Sequence, residues 1–374
     1  MYDKSVDFLL ENAGPIIQYR LRKEILKNIT KPEEENYLDQ IYQTPNFKLV
    51  QKYIKPNGYI GIGAHSWDMF KETPLQDGEG AARLLSYYAV PKDHPYIADF
   101  VKAMRNKETL RHEFSYYKPE IPRFERRFDG LNNGNSLAAL LYVMQAMMGY
   151  GDDTPEVLDF QAIALKGFKR VLELSALSDI TTFNPNVHRK YNYPYIEADE
   201  YFPDVYTLAM LAYTQSWRTD ENVYMLAESI NHIDRIMKPD NIMHVRINGK
   251  YVGPGFPFIK PFKPFTADRT DAIDYRRPLT EIAMLGVGNA ANVIKESVAN
   301  LEEVLSVDGI LRMNFESSYR KRQFFEAAKW PGAYADIFLE TDHKRKNALE
   351  CDLTFWAVQF LHLVQSLPHT SRTA

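Results

Sequence analysis

Apolar residues recur at helical spacing along most of the chain, with polar residues between them. Val6, Leu9 and Leu10 begin one stripe, and Ile16, Tyr19, Leu21, Ile25 and Leu26 carry a second, with Pro15 at a first helical turn. Residues 45–54 read as a further helix, closed by the turn signal Lys55-Pro56-Asn57-Gly58. A Gly-rich, aromatic loop follows, Tyr59 to Trp67. Helices then come in pairs: 80–90 with 95–104, 137–148 with 155–177, 204–217 with 221–237, and 279–287 with 289–305, before a last helix over 349–364. The first member of each pair is apolar almost all round, as a helix buried on both sides is. The second is amphipathic, as a helix with one wet face is.

This alternation predicts an all-α fold of two concentric layers of antiparallel helices, an α/α toroid. Between the pairs run long loops rich in Pro, Gly and aromatics: 111–134, 179–203, 240–278 and 307–335. Loops of that length are functional or carry short strands. Met243 to Ile247 followed by Asn248-Gly249 reads as a hairpin, and Asp308 to Met313 as a turn with a short strand. No linker or composition break divides the chain, so one domain is expected over 1–374, with residues 1–55 a possible small helical extension.

Composition narrows the function classes. A net charge of −4 offers no basic face for nucleic acid. The lone Cys351 excludes an internal disulfide and fits a reducing compartment. Residues 1–7 lack the basic and apolar regions of a secretory signal, and no apolar run approaches the ~20 residues that span a bilayer, so a cytoplasmic protein without a transmembrane segment is expected. Aromatics are abundant, with 24 Tyr, 21 Phe and 4 Trp, which suits either a large helical core or a cavity for an apolar or cationic ligand.

The richest chemistry lies in His343 to Trp356. There a basic cluster (Lys344, Arg345, Lys346), two carboxylates (Glu350, Asp352) and Cys351 stand just ahead of the apolar run 355–364. Burying an unpaired carboxylate costs several kcal/mol or shifts its pKa. These acids therefore either stand at the mouth of a cavity or cap a helix.

Three stretches resemble the toroid superfamily of terpenoid cyclases and protein prenyltransferases. Residues 47–51 followed by Asn57-Gly58-Tyr59-Ile60-Gly61 are similar to the Gln…Gly…aromatic turn repeated in squalene-type cyclases. Residues 155–174, after a Gly-Asp-Asp turn, look like that family's outer helix. Glu350-Cys351-Asp352-Leu353-Thr354-Phe355-Trp356 is similar to the prenyltransferase motif Asp-Gly-Cys-Tyr-Ser-Phe-Trp. The resemblance implies an aromatic-walled cavity for an isoprenoid-type ligand, with Trp356 in its wall and the family's diphosphate-binding positions falling near Lys344 and on Asn347, with Arg345 and Lys346 alongside. It sets Glu350 and Asp352 where the prenyltransferases carry zinc ligands. Two carboxylates without a thiolate suit zinc poorly, so no metal and no cofactor are expected.

In the cyclases an Asp protonates an alkene, which requires a carboxylic acid held protonated. The nearest match here is Glu197-Ala198-Asp199-Glu200, set among Tyr195, Tyr201 and Phe202. Like charges in an apolar setting raise one another's pKa. The alternative is that Asp199, Glu200 and Asp204 decorate the start of the helix that follows. Asp77 or Glu79, ahead of the helix at 80, face a cavity or, in the case of Asp77, simply cap the helix. Similar acidic and basic clusters precede other first-member helices, as at Arg126-Arg127-Phe128-Asp129 and Asp274-Tyr275-Arg276-Arg277. His65 and Trp67, in the Gly-rich loop, are further candidate ligand contacts.

Three functions follow. The first is an isoprenoid cyclase-like or prenyl-binding protein with Asp352, Glu350 or the 197–200 acids as proton donor. The second is a carbohydrate-active enzyme on the related (α/α)6 barrel, using paired carboxylates. The third is a toroid that binds a small hydrophobic ligand without catalysis.

Overall fold

In a computed structural model of the chain the described residues are 2–63, 77–113, 136–152, 154–183, 194–197, 200, 202–237, 244–247, 250–252, 262–268, 276–313, 338–342 and 344–367. They are mostly helical. In chain order the helices are α1 (Asp3–Asn12), α2 (Pro15–Arg20), α3 (Lys31–Tyr42), α4 (Pro45–Lys52), α5 (Gly78–Tyr87), α6 (Pro95–Met104) and α7 (Lys107–Glu113). They continue with α8 (Ser136–Met147), α9 (Pro155–Val171), α10 (Val205–Tyr213), α11 (Asp220–Ile236), α12 (Arg276–Met284), α13 (Asn292–Asp308) and α14 (Ala348–Ser366). The all-α expectation holds. No helix among the described residues is long and apolar enough to cross a membrane.

Local chemistry explains where these helices start. Pro45, Pro95 and Pro155 occupy first-turn positions, where a missing N–H costs nothing. Asp77, Thr44 and Thr219 cap α5, α4 and α11 with side-chain oxygens. Asp204 caps α10 by accepting from the N–H groups of Tyr206 and Thr207, both at 2.9 Å. Three helical elements were not legible: α3, α7 and a π-turn after α2. Helix α3 starts at a capping box, Thr30 with Glu33. The stretch Leu21–Leu26 continues α2 as a π-helical turn that ends at Lys27 with φ +52°.

Three short strands form one small sheet. β2 (His244–Ile247) and β3 (Lys250–Val252) make the expected hairpin, and β1 (Tyr195–Glu197) adds in parallel to β2. The turn expected at 308–309 is present, with Gly309 at φ +82°, but residues 310–313 form no strand. A backbone ladder needs a partner edge, and Leu311 instead donates its N–H to the Thr354 hydroxyl at 2.9 Å.

The chain divides into two compact units. One comprises residues 1–115, 265–277 and 296–366; the other comprises 116–264, 278–295 and 367–374. In the second unit α8 packs on α10 and α9 on α11, with α9 also against α10. Six of the nine residues of α10 are buried, whereas α11 buries one face: Val223, Leu226, Ala227, Ile230 and Ile233 among them. The contrast between all-round and one-faced apolarity read in the sequence thus matches the burial of these two helices. In the first unit α14 packs on α1, α2 and the π-turn, so residues 1–55 share a core with the last helix.

Candidate functional site

The first unit contains the buried charged groups around which a site can be built. At the head of α5, Asp77 is 1% exposed and its Oδ1 accepts from Gly80 N–H at 2.8 Å. This is the capping role, the simpler of the two expectations for Asp77. Gly61, in the described part of the Gly-rich loop, lies directly against it. A Cβ on Gly61 (φ +95°) would stand 2.8 Å from the Asp77 carbonyl carbon, so only glycine lets the two backbones approach. One turn on, Glu79 and Arg83 form an i,i+4 ion pair at 2.7 Å with both side chains fully buried. Arg277 reaches the same Glu79 oxygen at 3.8 Å. Beside it in sequence, Arg276 is also buried, with its guanidinium 5.1 Å from the centre of the Phe338 ring.

Asp352 sits in the first turn and a half of α14, 5% exposed. Its Oδ1 accepts the backbone N–H of Leu339 at 2.6 Å and of Glu340 at 3.2 Å, and Oδ2 takes a longer contact of 3.3 Å from Glu340. Burial, reinforced by the negative charge of Glu340, holds the Asp352 carboxyl well above the usual range, against the pull of those two amides and of Arg276. Trp356, one turn further on, is also buried. Its ring lies 4.7 Å from Phe265 and stacks on Phe360 at 5.5 Å. Tyr88, at the end of α5, is buried, accepts from Asn46 Nδ2 at 2.9 Å and is raised by burial and by the Asp352 charge. A carboxyl that favours its protonated form therefore stands on the same helix face as a stack of rings. Chemically it can donate a proton in a low-dielectric setting.

A second polar layer lies beneath Asp352. Glu340, 3% exposed, accepts from Gly14 N–H at 2.7 Å and pairs with Arg345 at 2.6 Å. Arg345 also donates to the Asn12 carbonyl, and Asn347 donates to the Asn12 side chain at 3.0 Å. Cys351 adjoins this layer. Burial, with help from Glu340, pushes its thiol up to about 12, so it is an inert core group and not a nucleophile.

The structure distributes the remaining sequence candidates unevenly. Lys344 is exposed and Glu350 half-buried at the start of α14. Arg345 is engaged by the 12–14 corner and Glu340. In the second unit Glu197 pairs with Arg246, whose guanidinium covers buried Tyr195, and Glu200 pairs with Arg170 at 3.1 Å. Each of these two acids is about one-third exposed or more. His65, Trp67, Asp199 and Tyr201 lie outside the described residues. Asp352, Trp356 and Asp77 thus fall in one unit, and Glu197 and Glu200 fall in the other.

Sequence reasoning missed Arg83, Tyr88, Phe265 and Glu340. Arg83 had a legible signal: a charge inside the apolar run Ala81-Ala82-Arg83-Leu84-Leu85, four residues after Glu79. Glu340 had a weaker one, as the only charge in Ile337-Phe338-Leu339-Glu340-Thr341. Among the described residues no group of three or more His, Cys, Asp or Glu side chains is arranged to hold a metal ion. Compared with known protein families, curated proteins and solved structures, the chain finds no match.

Proposed function

We propose that this protein is an α/α toroid that binds a hydrophobic, isoprenoid-type small molecule, with Asp352 as an acid that protonates it. One observation carries the reading. A carboxyl is enclosed in the protein, its Oδ1 held closely by the Leu339 N–H and both oxygens within reach of the Glu340 N–H, beside a second buried carboxylate and on the face of α14 that carries Trp356. Oδ1 acts as the carbonyl-like acceptor, and the proton resides on Oδ2. In the reaction the Oδ2–H bond breaks, a C–H bond forms at an alkene carbon, and the positive charge passes to the ligand. The faces of Trp356, Phe265 and Tyr88 are the kind of surface that stabilises such a cation. Water recovers a proton from the ligand at the end, and Asp352 is reprotonated from solvent.

The reading that uses paired carboxylates on a sugar draws less support. Glu197 and Glu200 are each engaged in an ion pair with an arginine. Glu340 is likewise occupied by Arg345 and Gly14.

The test is turnover with a panel of polyprenyl diphosphates and squalene, combined with mass spectrometry of lipids that co-purify with the protein. Wild type is expected to convert at least one of them, and Asp352→Asn to lose conversion by ~100-fold or more, as removal of a general acid does, while retaining the wild-type circular dichroism. Undiminished turnover in Asp352→Asn removes Asp352 as the acid. Cleavage of oligosaccharides, with no isoprenoid bound or converted, replaces the reading with the carbohydrate one.

A further inference from the structure

We infer that Glu340 is a positioning residue for Asp352, selecting the oxygen that carries the proton and holding the acid in its donor state. The inference rests on the reading of Asp352 as the acid, but its geometry stands apart from any substrate. Residues 338–340 form a strap tied from both sides. On one side the Leu339 N–H points at Oδ1 of Asp352 at 2.6 Å, and the Glu340 N–H is shared between Oδ1 at 3.2 Å and Oδ2 at 3.3 Å. On the other the Glu340 carboxylate is fastened to the α1–α2 corner, directly through Gly14 N–H at 2.7 Å and indirectly through Arg345, which grips both Glu340 and the Asn12 carbonyl. The corner fits closely. A Cβ at Gly14 would stand 2.8 Å from Glu340 Oε2, so the carboxylate seats here because residue 14 carries no side chain.

Two consequences follow for Asp352. The strap that Glu340 fastens presents the short Leu339 donor to Oδ1, which makes Oδ1 the stronger acceptor and favours Oδ2 for the proton. The negative charge on Glu340 then disfavours a second negative charge on Asp352. The other groups that act on Asp352 are Arg276, which favours the ionised form, and Tyr88 and Cys351, whose own ionisation the Asp352 charge opposes. Of these, only Glu340 both touches Asp352 through its backbone and bears a charge of the sign that retains the proton. Arg345 belongs to the same device. It screens Glu340, so its removal should strengthen the effect of Glu340 on Asp352.

The experiment is a difference infrared spectrum, wild type minus Asp352→Asn, which isolates the C=O stretch of the protonated Asp352 carboxyl and follows it with pH. Wild type is expected to show the band at neutral pH. In Glu340→Gln, which keeps an oxygen for Gly14 N–H but lacks the charge, the midpoint of the band should move to lower pH. In Glu340→Asp, which restores the charge, the midpoint should return toward wild type. In Arg345→Gln it should move to higher pH. Opposite directions for Glu340→Gln and Arg345→Gln support the inference, because general loosening of the strap would move both the same way. A midpoint indifferent to Glu340→Gln, or the same direction in both variants, overturns it. If Glu340→Gln does not fold, Arg345→Gln decides alone, and an unchanged or lowered midpoint there overturns the inference. Loss of turnover in Asp352→Asn with a band indifferent to Glu340 sinks the inference and spares the function. A Glu340-dependent band with undiminished turnover in Asp352→Asn does the reverse. A wild-type spectrum without the band ends both.

Discussion

Asp352 shows how a residue's role depends on what is wrapped around it. An aspartate at the start of a helix ordinarily gains from ionising, because the helix dipole and free amides favour its charge. Here burial and Glu340 outweigh two amide donors and Arg276, and the balance favours the neutral acid. That has a consequence for stability as well as for chemistry. The folded-state pKa lies above the unfolded value of about 3.9, so the folded state binds the proton more tightly. The contribution of this group is therefore complete below the unfolded pKa and is lost as pH rises through the raised folded value. Asp352→Asn carries no charge at any pH, and its amide oxygen can still accept from Leu339 and Glu340. The melting temperature of this variant relative to wild type should accordingly increase from mildly acidic to mildly alkaline pH, measured by calorimetry. A difference that is flat or falls with pH would contradict the raised pKa.

Among the elements, α5 carries the clearest conflict between propensity and function. Its sequence is that of a core helix, and residues 78–85 are all buried, yet it takes Glu79 and Arg83 into that core as an ion pair. A buried pair seldom adds net stability over apolar residues of the same size, but breaking one is costly. Glu79→Ala should therefore destabilise the protein by about 3 kcal/mol or more, whereas Glu79→Leu with Arg83→Met should fall much closer to wild type. Urea unfolding of the two variants checks this, and equal losses in both would show that the pair contributes nothing particular. The contrast with α10 is instructive. There Asp204 is a cap with two amide donors, a role that its position before an apolar run already announced in the sequence.

At the scale of the molecule, the first unit is assembled from sequence segments far apart. Residues 1–115 find part of their core in α14, and the Asn12–Gly14 corner is held by Glu340, Arg345 and Asn347. A fragment consisting of residues 1–115 should consequently lack a cooperative melt by circular dichroism, while the full chain shows one. A cooperative transition in the fragment would mean that α1 to α7 need no C-terminal partner. The corner also explains why the basic cluster before α14 was misleading. Arg345 looks in sequence like a member of a ligand-binding patch with Lys344 and Lys346, but it turns inward to bind protein, and the two lysines face solvent.

The chain's own pattern determined the helices, because burial on one face or on all faces leaves a periodic mark in the residues that form each helix. It determined caps and turns as well, since Asp77, Asp204, Pro95 and the Lys55–Gly58 turn act on neighbours a few positions away; the turn closes with Gly58 at φ +85°. Only tertiary structure decided which charges are buried together and what each one meets. Asp352 acquires its proton affinity from burial and then from Glu340, twelve residues upstream, and Glu340 is itself held by Gly14, 326 residues earlier. The strength of an electrostatic effect depends on distance and on the exclusion of water, and neither has any period along a sequence.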